Sequence, residues 1–154
     1  MTQNSESITV SRTIDAPADK IFDVLSLPAR HNEIDASGTV RSAEDTERIS
    51  AVGDVFVMNM YAEKMGGEYK MFNHVTGVIE NKLVSWQPAQ EKNKDEPACW
   101  EWVWEIESEG SAESKVSLTY DWRKVTDEKL KQIFPAFSEE ELEESLNALA
   151  KAVA

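Results

Sequence analysis

Ala98-Cys99-Trp100-Glu101-Trp102-Val103-Trp104-Glu105-Ile106-Glu107 decides how the chain is read. Trp100, Trp102, Trp104 and Ile106 fall on one parity, and Glu101, Val103, Glu105 and Glu107 on the other. Successive side chains of a strand point to opposite faces. The spacing therefore predicts a strand with one aromatic and one mostly acidic face. Val116-Ser117-Leu118-Thr119-Tyr120-Asp121-Trp122 repeats the alternation, and Glu109-Gly110-Ser111 between them is a turn composition. The expected hairpin carries four of the chain's five tryptophans on its inner face. Such a wall either fills a core or lines a cavity.

Toward the N-terminus, Ile8–Ile14 is β-branched and alternates, and predicts a first strand. Pro17 suits a helix start, with Asp15 favourable near the positive end. Ile21, Phe22, Val24 and Leu25 form one apolar stripe at helical spacing. Pro28 opens a second short helix through Ile34. A weak strand over Gly38–Ala43 precedes a stronger one over Val55–Tyr61. Met65-Gly66-Gly67 is a turn or loop. Glu68–Ile79 is a long strand in which Gly77 marks a bulge or bend. Asn81-Lys82 turns into Leu83–Trp86, and the polar stretch Gln87–Pro97 is expected as an exposed loop.

Beyond the hairpin, Thr126–Phe134 is expected as a short helix ended by Pro135. Ser138 and Glu141 form a capping-box pattern for a helix reaching the C-terminus. Its stripe is Leu142, Leu146, Leu149 and Val153, flanked by Ser145, Ala148 and Ala152. Consecutive strands joined by short turns pair antiparallel, and a single apolar stripe must cover one sheet face. The expected class is α+β, a helix-grip arrangement. About seven curved antiparallel strands wrap a long C-terminal helix, with two short helices after the first strand.

The 154 residues fit one domain, placed at 7–154, with residues 1–6 expected to be disordered. The chain carries 29 acids and 16 bases, a net charge of −13, which argues against nucleic acid or an anionic membrane as partner. The single Cys99 excludes an intrachain disulfide and any multi-cysteine metal site. It fits a cytoplasmic location and is read as structural. Neither a signal peptide nor a membrane-inserting segment is expected. The two histidines, His31 and His74, have no ligand spacing with Cys99, so no metal and no cofactor is expected. Nucleophile and phosphate-loop motifs are absent from the sequence.

In order and spacing the chain resembles the START-like superfamily, also called SRPBCC, with the helix-grip fold of the birch pollen allergen. Within it the chain is most similar to the bacterial polyketide cyclase/dehydrase and lipid-transport branch. The matching pieces are Ile14-Asp15-Ala16-Pro17 with Ile21–Leu25, Pro28–His31, Gly53–Phe56, Asn73-His74-Val75, Val84–Pro88, Trp102-Val103-Trp104 and Leu118–Trp122, across residues 8 to 153. The resemblance implies a hydrophobic cavity between sheet and terminal helix. It implies binding of lipids, polyketides or aromatic metabolites, and cyclisation or dehydration in a minority of members. It supplies no catalytic motif.

With that cavity in view, Trp102, Trp104, Tyr120 and Trp122 are expected as an aromatic wall, completed by Met58, Met60, Met71 and Trp86. Leu146 faces it from the helix. Strand parity sets Tyr69, Met71, Asn73 and Ile79 inward, and Lys70, Phe72, His74 and Glu80 outward. Tyr69 and Asn73 are then the groups that orient a ligand. The resemblance puts His31 at the cavity mouth, where an unperturbed imidazole titrates near neutrality. The expected function is binding, extending to transport, of a hydrophobic or aromatic small molecule in that cavity, by a monomer or weak homodimer. The alternatives are a cyclase/dehydrase-type enzyme, needing an inward acid or base, and a protein-interaction module of the chaperone-activator type. The last predicts a filled interior and an exposed apolar patch.

Overall fold

The computed structural model describes residues 6–35, 39–44, 47–63, 66–126, 128–132 and 137–154. The expectations at Met1–Ser5, Gly38, Met65 and Phe134-Pro135 lie outside the described residues. Alternating apolar residues build seven strands: β1 (Ser7–Ile14), β2 (Val40–Ala43), β3 (Val55–Ala62), β4 (Gly67–Ile79), β5 (Leu83–Gln90), β6 (Glu101–Ser108) and β7 (Ser114–Asp121). The helices are α1 (Ala18–Leu25), α2 (Glu128–Lys131) and α3 (Glu139–Ala152), with a 3-10 helix at Pro28–Glu33. The short helix expected from Thr126 is thus one turn, and the one after Pro28 is 3-10 rather than α.

Every neighbouring pair is antiparallel, in the order β1-β7-β6-β5-β4-β3-β2. The curved sheet and terminal helix make a helix-grip α+β fold. β1 and β2 stand at opposite edges, so α1 and the 3-10 helix must carry the chain across the concave face. The capping box forms: Ser138 Oγ accepts from Glu141 N–H (3.1 Å), and the Glu141 carboxylate accepts from Ser138 N–H (2.9 Å). Leu142, Leu146 and Leu149 are buried in one core with Val10, Ile14, Val116 and Leu118.

Three expectations are corrected. Gln87–Gln90 continues β5 instead of looping out, and Pro88 and Ala89 are buried. Regular pairing of β5 with β6 ends at Trp86. Pro88 turns its carbonyl toward that unpaired side, where it accepts from Ala98 N–H. Its missing N–H faces the same side and interrupts no ladder. Cys99 is exposed and precedes β6, which starts at Glu101 and not within the Ala98–Trp100 part of the quoted stretch. Ile79 points outward, 54% exposed.

The cause of that last reversal is a bulge. The β4–β5 register shifts between Val75 and Gly77, which flips parity beyond it. Val75 is buried, whereas Ile79 is not. The bulge needs a glycine: a Cβ at position 77 would sit 2.7 Å from Leu83 Cδ2 and 2.7 Å from Ser85 Oγ, which bonds Thr76 Oγ1 at 2.8 Å. Gly77→Ala should therefore lower stability by about 1–3 kcal/mol in urea unfolding; an unchanged midpoint and slope would show that the bulge has room to spare.

Candidate functional site

Strand register assembles the site. Across β3 and β4, Phe56 pairs with Asn73, Met58 with Met71, and Met60 with Tyr69. Across the next strands, Trp86 lies opposite Trp102, Trp102 opposite Tyr120, and Trp104 opposite Leu118. These residues, with Val40 at the β2 edge, form the floor of a cavity of about 360 Å³, roofed by His31, Ile34, Phe137, Leu142 and Ser145. That volume falls within the ~300–1,000 Å³ common to small-molecule sites. Asp35, Thr39 and Glu141 are half-buried and Gln90 is exposed, which places the mouth on their side.

Two ring clusters brace the walls. His31 stacks on Trp86 (centroids 5.2 Å) and meets Phe56 edge-on (5.3 Å); Phe56 and Trp86 are also edge-to-face at 5.3 Å. Trp102 stacks on Tyr120 at 4.3 Å and 12°, and Phe137 closes on both edge-on at 5.4 and 5.7 Å. The first cluster joins the 3-10 helix to β3 and β5. The second joins β6 and β7 to the segment before α3.

The polar groups are few. His31 is 5% exposed, and its Nε2 lies 2.7 Å from the Leu25 carbonyl oxygen. Burial pushes its pKa down to about 4, against a smaller upward pull from that carbonyl. Asn73 is 6% exposed. Burial, and then the Asp35 carboxylate, push the Tyr69 phenol up, so it keeps its proton. Asp35 accepts from Val40 N–H at 3.0 Å. Asp35 and Glu141 are acids of the wall, and no lysine or arginine lines it among the described residues. No group of His, Cys, Asp or Glu among them could hold a metal ion.

Most residues expected at the wall line it: His31, Met58, Met60, Tyr69, Met71, Asn73, Trp86, Trp102, Trp104 and Tyr120. Trp122 and Leu146 do not. Trp122 is 4% exposed and packs against Tyr120 at 5.2 Å, and Leu146 is 1% exposed in the core. Both share the right stripe but lie where α3 closes on the sheet. His31 was expected to titrate near neutrality without a partner; instead it is buried, bonded and held neutral. Asp35, Gln90, Phe137 and Glu141 also line the cavity without being expected there. Gln90 falls in the stretch expected as a loop, and the others sit at element ends, where periodicity gives no face.

No family model matches the chain. It is 33% identical over 115 residues to the uncharacterized protein Rv0088 of Mycobacterium tuberculosis, an alignment covering 73% of this chain and 47% of that protein. The chain thus spans about half the length of the curated relatives it matches. Among solved structures, Ms6760 of Mycobacterium smegmatis superposes with a TM-score of 0.70 at 15% identity, covering 97% of this chain and 92% of that one. The Zhui aromatase/cyclase of Streptomyces sp. R1128 superposes with a TM-score of 0.67 at 13% identity, covering 96% and 92%. These likenesses show the fold.

His31 gives the site a pH signature. Above its ordinary pKa of 6.5 the ring is neutral folded and unfolded, and stability is unaffected. Between 6.5 and about 4 the unfolded chain binds a proton that the folded one refuses, so stability falls as pH falls. Below about 4 both forms are protonated and the loss is complete, at roughly 3 kcal/mol. The stability advantage of wild type over His31→Phe should therefore shrink by about 3 kcal/mol from neutral pH to pH 4, measured by urea unfolding. A pH-independent difference would contradict the buried neutral ring.

Proposed function

We propose that this protein is a START-like domain of the polyketide cyclase/dehydrase and lipid-transport branch that binds a hydrophobic or aromatic small molecule. The observation that carries this is the cavity of about 360 Å³ between sheet and α3, walled by methionines and braced aromatic rings. Apolar pockets with a few convergent polar groups are the usual form of small-molecule sites. Methionine lets the floor adapt to ligand shape. Tyr69 and Asn73 supply orienting hydrogen bonds. The fold it shares with the Zhui aromatase/cyclase supports the branch. The protein acts in the cytoplasm, as a free, exposed Cys99 suits a reducing compartment. No helix among the described residues is long and apolar enough to cross a membrane.

A cyclase or dehydrase has one observation in its favour: His31 and Tyr69 face the cavity with shifted pKa values. Both shifts lead away from neutrality, which weakens them for proton transfer at physiological pH. The open interior weighs against a module that works only through its outer surface.

Native mass spectrometry of protein purified from its host should show a co-purifying small molecule. In the purified protein, the neutral probe N-phenyl-1-naphthylamine should brighten on entering the cavity. Ser145→Phe, which fills the cavity from α3, should lower that probe's affinity by about tenfold or more with circular dichroism unchanged. Equal binding by wild type and variant would place the probe elsewhere and remove the case for this cavity.

A further inference from the structure

The Leu25 carbonyl oxygen can only accept a hydrogen bond, so the 2.7 Å contact requires that His31 Nε2 carry the proton. Burial keeps the ring neutral, and a neutral imidazole holds one N–H. His31 Nδ1 is therefore a bare acceptor. Neither Nδ1 nor the Asn73 carboxamide has a hydrogen-bond partner among the described residues. Yet no buried side-chain nitrogen or oxygen among them is left unpaired. Both groups must then have accessible surface, and both residues line the cavity. Both adjoin Phe56 in its wall. Asn73 sits between Phe56 on β3 and Pro88 on β5, while His31 packs on Phe56 and Trp86.

We propose that the cavity selects an uncharged aromatic molecule bearing a hydrogen-bond donor, a phenol or ring N–H, which it seats against His31 Nδ1 and Asn73. This rests on the binding function proposed above and names its ligand class. The donor requirement follows from Nδ1, which has no hydrogen to offer. A ligand lacking a donor leaves that acceptor dry and unpaired, which is how buried polar sites discriminate most strongly. The flat rings of Trp86 and Trp102 in the same wall suit an aromatic body. A carboxylate is disfavoured. It would meet a neutral histidine, two wall acids in Asp35 and Glu141, and no lysine or arginine among the described lining residues. Burying an unpaired charge there is costly.

Three probes built on one naphthalene ring separate the terms: 2-naphthol, 2-methoxynaphthalene and 2-naphthoate, titrated by calorimetry at neutral pH. The naphthol should bind roughly tenfold more tightly than the methyl ether, and the naphthoate most weakly. His31→Phe keeps a ring against Trp86 but removes the acceptor; Asn73→Leu removes the amide. Each should erase the preference for the naphthol over the ether, whatever its effect on the ether's own affinity. Should His31→Phe fail to fold, Asn73→Leu decides alone. Equal binding of naphthol and ether by wild type, or tightest binding of the naphthoate, overturns donor selection while cavity binding stands. Failure of all three to bind overturns the binding function and this inference with it.

Discussion

One helix cannot cover seven strands. α3 has 14 residues, so it is ~21 Å long and ~10 Å across, while strands stand ~4.8 Å apart. It can roof two or three strands, and it packs on β1 and β7. There the opposing side chains are aliphatic and mesh closely: Val10, Ile14, Val116 and Leu118 against Leu142, Leu146 and Leu149. Over β3 to β5 no long helix arrives among the described residues. The cover there is the chain crossing from β1 to β2, thin and partly 3-10. The cavity is what this mismatch leaves, and its floor carries methionines and tryptophans where a filled core would need complementary partners from above.

An unfilled apolar space tends to collapse unless its walls are stiff. Here stiffness comes from ring pairs that bridge elements instead of stacking within one. Each such pair contributes about 0.5–1.5 kcal/mol beyond simple burial. His31 ties the crossing segment to Phe56 and Trp86, and Phe137 ties the approach to α3 to Trp102 and Tyr120. The Leu25 carbonyl fixes His31 further, so its stacking geometry and its tautomer are set together. A wall shaped before any ligand arrives spends little of the binding energy on ordering itself.

Much of the fold is legible in the sequence because it rests on local periodicity. The alternation of Trp100 to Ile106, the Ser138–Glu141 box and the parity of Tyr69, Met71 and Asn73 each follow from neighbours a few residues apart. What escapes depends on distant chain. Gln87–Gln90 is polar, and only pairing with β4 makes it a strand. The Gly77 bulge can be suspected from a lone glycine, but its consequence for Ile79 needs the register. Trp122 and Leu146 have the right parity and stripe, yet whether such residues face a cavity or a packed core depends on how far α3 reaches. His31 gives no sign in sequence that its ring will be buried against a carbonyl six residues back.

Burial moves the two titratable rings of the wall in opposite directions, His31 down and Tyr69 up, because it disfavours the charged form of each. Both consequently stay uncharged across the physiological range. A general acid or base works best with a pKa near the operating pH, so this environment trades proton transfer away. What it retains is hydrogen-bonding capacity that does not vary with pH: a fixed acceptor at His31 and a phenol that keeps its proton at Tyr69. Low local dielectric strengthens those bonds and penalises any that go unmade. The desolvation that makes the cavity a poor place to move a proton is therefore what, under the proposed binding function, would let it discriminate between ligands by their hydrogen-bonding edges.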